Sequence, residues 1–177
     1  MLAGADPSGP PPAATASTVR VMADYRFLTT WCLDAPIERV FEAIDDASRW
    51  PQWWNGVRRA DLLEPGDDRG VGRLWRFTWR SRLPYDLSFD SRVTRREPPH
   101  LLEGHAHGEL IGLGRWRLFE GQGTACVYEW NVHTARGWMN RLAPVARPLF
   151  AWNHDIVMRQ GAEGLSQLLN APLLART

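Results

Sequence analysis

The sequence predicts an α+β domain. A curved seven-stranded antiparallel sheet wraps around one long C-terminal helix, and two short helices follow the first strand. Three observations carry this prediction. A strand-like segment gives way at once to a helical period. Six alternating segments then follow, separated by turn residues. The stretch 148–169 closes the pattern with a helical period of its own.

The first strand is DYRFLTTWCLD, 24–34, where Phe27, Thr29, Trp31 and Leu33 alternate against Leu28, Thr30 and Cys32. Its β-branched and aromatic content suits a pleated surface. The period changes in APIERVFEAIDD. Pro36 fits a first helical position, Glu38 lies in the first turn, and Ile37, Val40, Phe41 and Ile44 share one helical face. ASRWPQWW, 47–54, reads as a second short helix interrupted by Pro51, with its three tryptophans as a packing plug.

Strand-like runs follow at 57–64, 71–82, 84–96, 99–107, 112–120 and 124–134. EPGDDRG, LP, REPP, the glycines around 108–112 and EGQG punctuate them. Trp75, Phe77 and Trp79 share a face, as do Tyr85, Leu87, Phe89, Ser91 and Val93. Gly112, Gly114, Trp116 and Leu118 lie on the apolar side, with Cys126, Tyr128, Trp130 and Val132. The opposite faces carry Arg76, Asp90, Arg92, Arg115, Arg117 and Glu129, so the sheet has one wet and one apolar side. In the last helix, which Pro148 can start, Ala151, His154, Met158, Gly161, Ala162, Leu165, Leu168 and Leu169 face inward. Arg147 extends that face if the helix begins earlier. Trp152 and Ile156 lie on the far side, where the segment 136–146 is the expected cover.

A chain of 177 residues, 44% apolar, suits one domain, placed at 23–170. The Pro-, Ala- and Ser-rich start, 1–22, reads as a disordered lead-in without a secretory signal, and Met22 is an alternative start. The tail 171–177 is expected to fray. A net charge of +1 argues against a nucleic-acid partner, and no apolar run is long enough for integral membrane association. Cys32 and Cys126 form neither a disulfide framework nor a metal spacing, so a reduced, cytoplasmic protein is expected. The oligomeric expectation is a monomer or weak homodimer.

The order of elements and several local stretches resemble a known superfamily. LDAPIERVFEAIDDASRWPQWW is similar to the signature of the SRPBCC, START-like, helix-grip (Bet v 1-like) superfamily. LPYDLSF, GELIGLGRW and WNHDIVMRQGAEGL look like its bacterial polyketide cyclase/dehydrase branch. The resemblance implies a cavity between sheet and helix. That cavity would bind a hydrophobic small molecule, lipid-like or aromatic and polyketide-like. The alternative it implies is a cyclase or aromatase that uses polar cavity residues for acid–base-assisted cyclisation or dehydration. Enzyme activity stays open between these readings, and a structural protein with a vestigial cavity is the third class. No cofactor is expected.

The expected ligand contacts are Trp75, Phe77, Trp79, Tyr85, Phe89, Trp116, Tyr128, Trp130, His154 and Met158. The catalytic candidates are His154, Tyr128, Tyr85 and Arg147, and none is carried over from a family motif. His154 and Asp155 are neighbours on a helix, so their side chains diverge by about 100° and form no relay. His154 is either a polar cavity contact or a buried histidine satisfied by its neighbours. Glu103, His105, His107 and Glu109 alternate, but Gly104 and Gly108 suggest a break before Glu109, and no metal is expected.

Overall fold

A computed structural model describes residues 24–80, 86–134 and 143–177, without the side chains of 143–147. The lead-in 1–22, the start at Met22, Tyr85, the segment 136–142 and the Arg147 side chain lie outside the described residues.

The elements in chain order are β1 (Asp24–Leu33), α1 (Ile37–Asp45), a 3₁₀ turn (Ala47–Arg49), α2 (Trp50–Trp53), β2 (Val57–Glu64), β3 (Leu74–Trp79) and β4 (Leu87–Glu97). They continue with β5 (Leu101–Gly108), β6 (Leu110–Gly121), β7 (Gly123–Thr134), α3 (Ala143–Leu169) and β8 (Leu173–Arg176). The strands form one sheet in the order β2-β3-β4-β5-β6-β7-β1-β8. Every paired neighbour is antiparallel. The expected architecture is present with one correction: the sheet has eight strands, not seven. Residues 173–176 do not fray but pair with β1, and the Thr177 amide donates to the Thr30 carbonyl at 3.0 Å.

The turn into β8 explains this. Asn170 adopts a left-handed conformation, φ 48°. Ala171 N–H then reaches back to the Ser166 carbonyl at 3.0 Å, and Asn170 N–H to the Gln167 carbonyl at 3.2 Å. This crossed pair is a Schellman stop, and asparagine tolerates the left-handed position better than most residues. Pro172 cannot continue the helix, and its carbonyl accepts from Asp34 N–H at 2.9 Å, which steers the tail onto the edge of β1.

Two proline readings change. Pro51 does not interrupt α2; it occupies the first turn, where a missing N–H costs nothing. α3 begins at Ala143 rather than Pro148, which sits inside the helix. α1 buries Ile37, Val40, Phe41 and Ile44, as their spacing dictates. Ile156 is buried although it lies off the expected inner face, while Trp152 remains half exposed. Among the described residues, no helix is long and apolar enough to cross a membrane.

The seat of α3 on the tryptophan turn fixes the geometry of the domain. The Trp54 indole N–H donates to the Val157 carbonyl at 2.8 Å. Trp31, Trp54 and Leu165 are buried beneath it. At Gly161 a β-carbon would come within 2.5 Å of the Trp54 ring, and at Gly164 it would overlap the Trp53 carbonyl oxygen. The helix therefore approaches α2 backbone to backbone. Arg39 closes the far end by donating to the Leu169 carbonyl at 3.2 Å.

The convex face carries the charges. Arg76 pairs in a fork with Asp90, and Arg92 with Glu64. Glu103 is buried against Arg115 at 2.6 Å and Thr94 at 3.2 Å. His105 and His107 share this face, but Glu109 lies beyond the end of β5 and accepts from Ser88 N–H at 2.9 Å. No group of three metal-ligating side chains converges among the described residues.

Candidate ligand-binding site

The concave face explains why a cavity exists. Phe27 on β1 pairs in register with Trp130 on β7, Trp130 with Gly114 on β6, and Gly114 with Gly104 on β5. The next row in one direction runs Thr29, Tyr128, Trp116, Leu102. In the other it runs Tyr25, Val132, Gly112, Ala106. The middle of the sheet, on β5 and β6, is thus floored by Gly104, Ala106, Gly112 and Gly114. Large rings stand on either side of it. Tyr128 and Trp130 lean over Gly114, and space remains between the rings and α3.

The result is a cavity of about 130 Å³ bounded by Phe27, Trp50, Trp54, Trp79, Phe89, Trp116, Tyr128, Trp130, His154 and Met158, among others. An adjoining chamber of about 80 Å³ lies over Ser91, Gly104 and Gly114. Trp50, Trp79, Phe89, Trp116, Tyr128 and Trp130 border both spaces. The rings are ordered: Trp116 and Tyr128 stack at 4.3 Å, and Phe89 lies 5.6 Å from Trp130. An engineered apolar void of about 150 Å³ holds a benzene ring. The larger space alone is therefore of one-ring size, and the two together suit a flat molecule of more than one ring.

Besides Arg80, Asn153 and Thr134, three further polar groups stand in the cavity wall. His154 stacks on Phe27 with centroids 4.1 Å apart, and its Nε2 lies 3.4 Å from the Thr29 hydroxyl. Thr29 in turn sits opposite Tyr128 in register. Burial lowers the His154 pKa to about 4, so the imidazole is neutral at pH 7. Burial raises the Tyr128 phenol above its ordinary range, so it stays protonated. The Tyr128 hydroxyl stands directly over Gly114, where a β-carbon would approach it to 2.9 Å. The third group is the Trp79 indole N–H, which is buried without a hydrogen-bond partner among the described residues. An unsatisfied buried donor costs about 1–3 kcal/mol, which a ligand oxygen within reach would recover.

The His154 shift has a testable sign. Its folded-state pKa lies below the unfolded value, so its contribution is complete above about pH 6.5 and is lost as pH falls toward 4. Wild type is expected to lose up to roughly 3 kcal/mol over that window which His154→Phe does not lose. Urea denaturation of both proteins at matched pH values measures the difference. Parallel pH profiles would refute the burial of a neutral imidazole.

The structure places the sequence-predicted residues as follows. Trp79, Phe89, Trp116, Tyr128 and Trp130 border both spaces. His154 and Met158 border the larger space only, and Trp75 and Phe77 the smaller only. Asp155 is exposed and does not border the cavity. Residues not foreseen as lining are Tyr25, Phe27, Trp50, Trp54, Phe150 and Asn153. Phe27 could have been found from its alternation with Thr29 and Trp31. Trp50 and Trp54 are both plug and wall.

The model of the family described as polyketide cyclase/dehydrase and lipid transport matches residues 13–170. The chain belongs to this family. Solved structures agree on the fold of this polyketide cyclase/dehydrase family member. The di-domain ARO/CYC BexL from the BE-7585A biosynthetic pathway superposes with a TM-score of 0.69 at 20% identity, over 85% of this chain and 51% of BexL. The Zhui aromatase/cyclase from Streptomyces sp. R1128 gives 0.65 at 15% identity, over 84% and 94%. TTHA0849 from Thermus thermophilus gives 0.62 at 16% identity, over 82% and 98%. The chain spans about half the length of the di-domain proteins. No curated protein matches it.

Proposed function

We propose that the protein binds a small molecule whose flat, oxygen-bearing aromatic or lipid-like body lies uncharged in the cavity between sheet and α3. The single observation that carries this reading is the hollow walled by aromatic rings, with Gly104 and Gly114 under its smaller chamber. Within it, the Trp79 indole N–H finds no protein acceptor among the described residues, and Tyr128 borders the same space. Neutral His154 adds a third polar point. A low-dielectric wall without a paired counter-charge disfavours a charged body and favours carbonyl or hydroxyl oxygens. Titration with β-naphthol, followed by quenching of the wall tryptophans, is expected to saturate at one molecule per chain. Native mass spectrometry of protein purified from its own host is expected to show a retained small molecule. Absence of both would overturn the proposal.

A second reading, a cyclase- or aromatase-type enzyme, is favoured by His154 and Tyr128 bordering one cavity. A neutral imidazole can take a proton and a protonated phenol can give or share one. Binding is preferred because a general base works best with a pKa near the operating pH, and burial puts His154 at about 4.

A further inference from the structure

A groove of about 260 Å³ lies beside the cavity and is lined by Asn55, Arg80, Asn153, Ile156, Val157 and Gln160, with Gly56 at its base. Arg80, Asn153 and Val157 also line the cavity, so the two spaces share a rim. Their chemistry differs sharply. The cavity wall is mostly rings, whereas the groove presents one guanidinium and three carboxamides and is lined by no Asp or Glu among the described residues. The Arg80 backbone is held by its N–H bond to the Gly56 carbonyl at 2.8 Å. Its side chain has no ion pair among the described residues, unlike Arg76 and Arg92 on the convex face. Trp79, the neighbour of Arg80 in sequence, supplies the unpartnered indole of the cavity wall.

We propose that this groove is an anion subsite, so that the ligand is an amphipathic arene. Its flat, oxygen-bearing body lies in the cavity, and a carboxylate, sulfonate or phosphate substituent reaches Arg80 at the shared rim. This rests on the reading of the cavity as the ligand site. A guanidinium offers a planar fork of donors suited to all three oxyanions, and the carboxamide N–H groups of Asn55 and Gln160 can add to it. The anion stays in the wet groove, where its charge needs no burial, while the apolar body supplies the desolvation energy inside.

The test compares naphthylacetate with neutral naphthylethanol, a matched pair that differs in the terminal group. Both are titrated into the full chain by tryptophan quenching. Wild type is expected to bind both. Arg80→Gln is expected to weaken naphthylacetate about fivefold or more and to leave naphthylethanol within about twofold. Gln160→Glu, which brings a carboxylate into the groove, is expected to weaken naphthylacetate alone. Raising salt from about 50 mM to about 500 mM should erase the wild-type advantage of the anion. Equal responses of the two probes in both variants would overturn the anion subsite and leave the cavity reading standing. Failure of wild type to bind either probe would overturn the cavity reading, and the subsite with it. Circular dichroism of the variants separates a lost contact from a lost fold.

Discussion

Gly164→Ala is expected to destabilise the protein by more than about 3 kcal/mol, with the urea midpoint as the measure. On helix propensity alone the exchange would stabilise an α-helix by up to about 1 kcal/mol, so the two effects have opposite signs. Packing decides between them. A β-carbon at Gly164 would overlap the Trp53 carbonyl oxygen, which belongs to the backbone and cannot rotate away. To make room, α3 must lift from α2, and that strains the bond from the Trp54 indole to the Val157 carbonyl, about two turns earlier. The buried neighbours Ala162 and Leu165 would lose contacts with it. Gln167→Ala, at an exposed position on the same helix, should change stability by no more than about 0.5 kcal/mol. A stabilised Gly164→Ala would refute the backbone contact.

The second large effect concerns binding rather than folding. Gly114→Ala is expected to weaken β-naphthol binding at least about tenfold, or about 1.4 kcal/mol, in tryptophan-quenching titrations. The added β-carbon would meet the Tyr128 hydroxyl and the Trp130 ring at 2.9 Å each. Both groups stand on the floor of the hollow, so the direction open to them is upward, into the space a ligand would use. Folding should suffer less, by about 1–3 kcal/mol at most, because an overpacked site beside a void can relax into it. Unchanged affinity with an intact fold would mean that the ligand does not lie over Gly114. The same methyl group thus separates the roles of two glycines: one makes room for the backbone of the fold, the other for a guest.

Alternation and spacing made most of this fold legible. Phe77, Phe89, Trp116, Tyr128 and Trp130 could be assigned to one sheet face because strand periodicity of two is strict. Ile37, Val40, Phe41 and Ile44 were equally plain from a period of 3.6. Three things were not legible. β8 depends on Asn170 turning left-handed and on Pro172 meeting Asp34, a contact 138 positions apart in sequence that no local pattern announces. Pro148 looked like a start signal, and only the geometry of the preceding turn shows that the helix already exists there. The cavity itself depends on register. That Gly114 lies beside Gly104 and opposite Trp130 follows from strand pairing, which composition does not reveal. Phe27 on β1 was legible as an inward residue from its alternation, but that it stands beside Trp130 follows only from the pairing of β1 with β7. His154 borders the cavity, and its separation from Asp155 followed from helix geometry alone.

The eighth strand has a consequence for the guest as well as for the sheet. Without it, β1 would be an edge strand with one row of unpaired backbone groups, open to fraying and to pairing with other chains. With β8 in place, the C-terminal end of β1, from Thr30 to Leu33, is hydrogen-bonded on both sides, by β7 and by the tail. β1 carries Phe27 and Thr29, the two residues against which His154 rests. The short segment after α3 therefore acts as a hem: it finishes the border of the fabric at the end of the strand just beyond Thr29, on which the histidine leans.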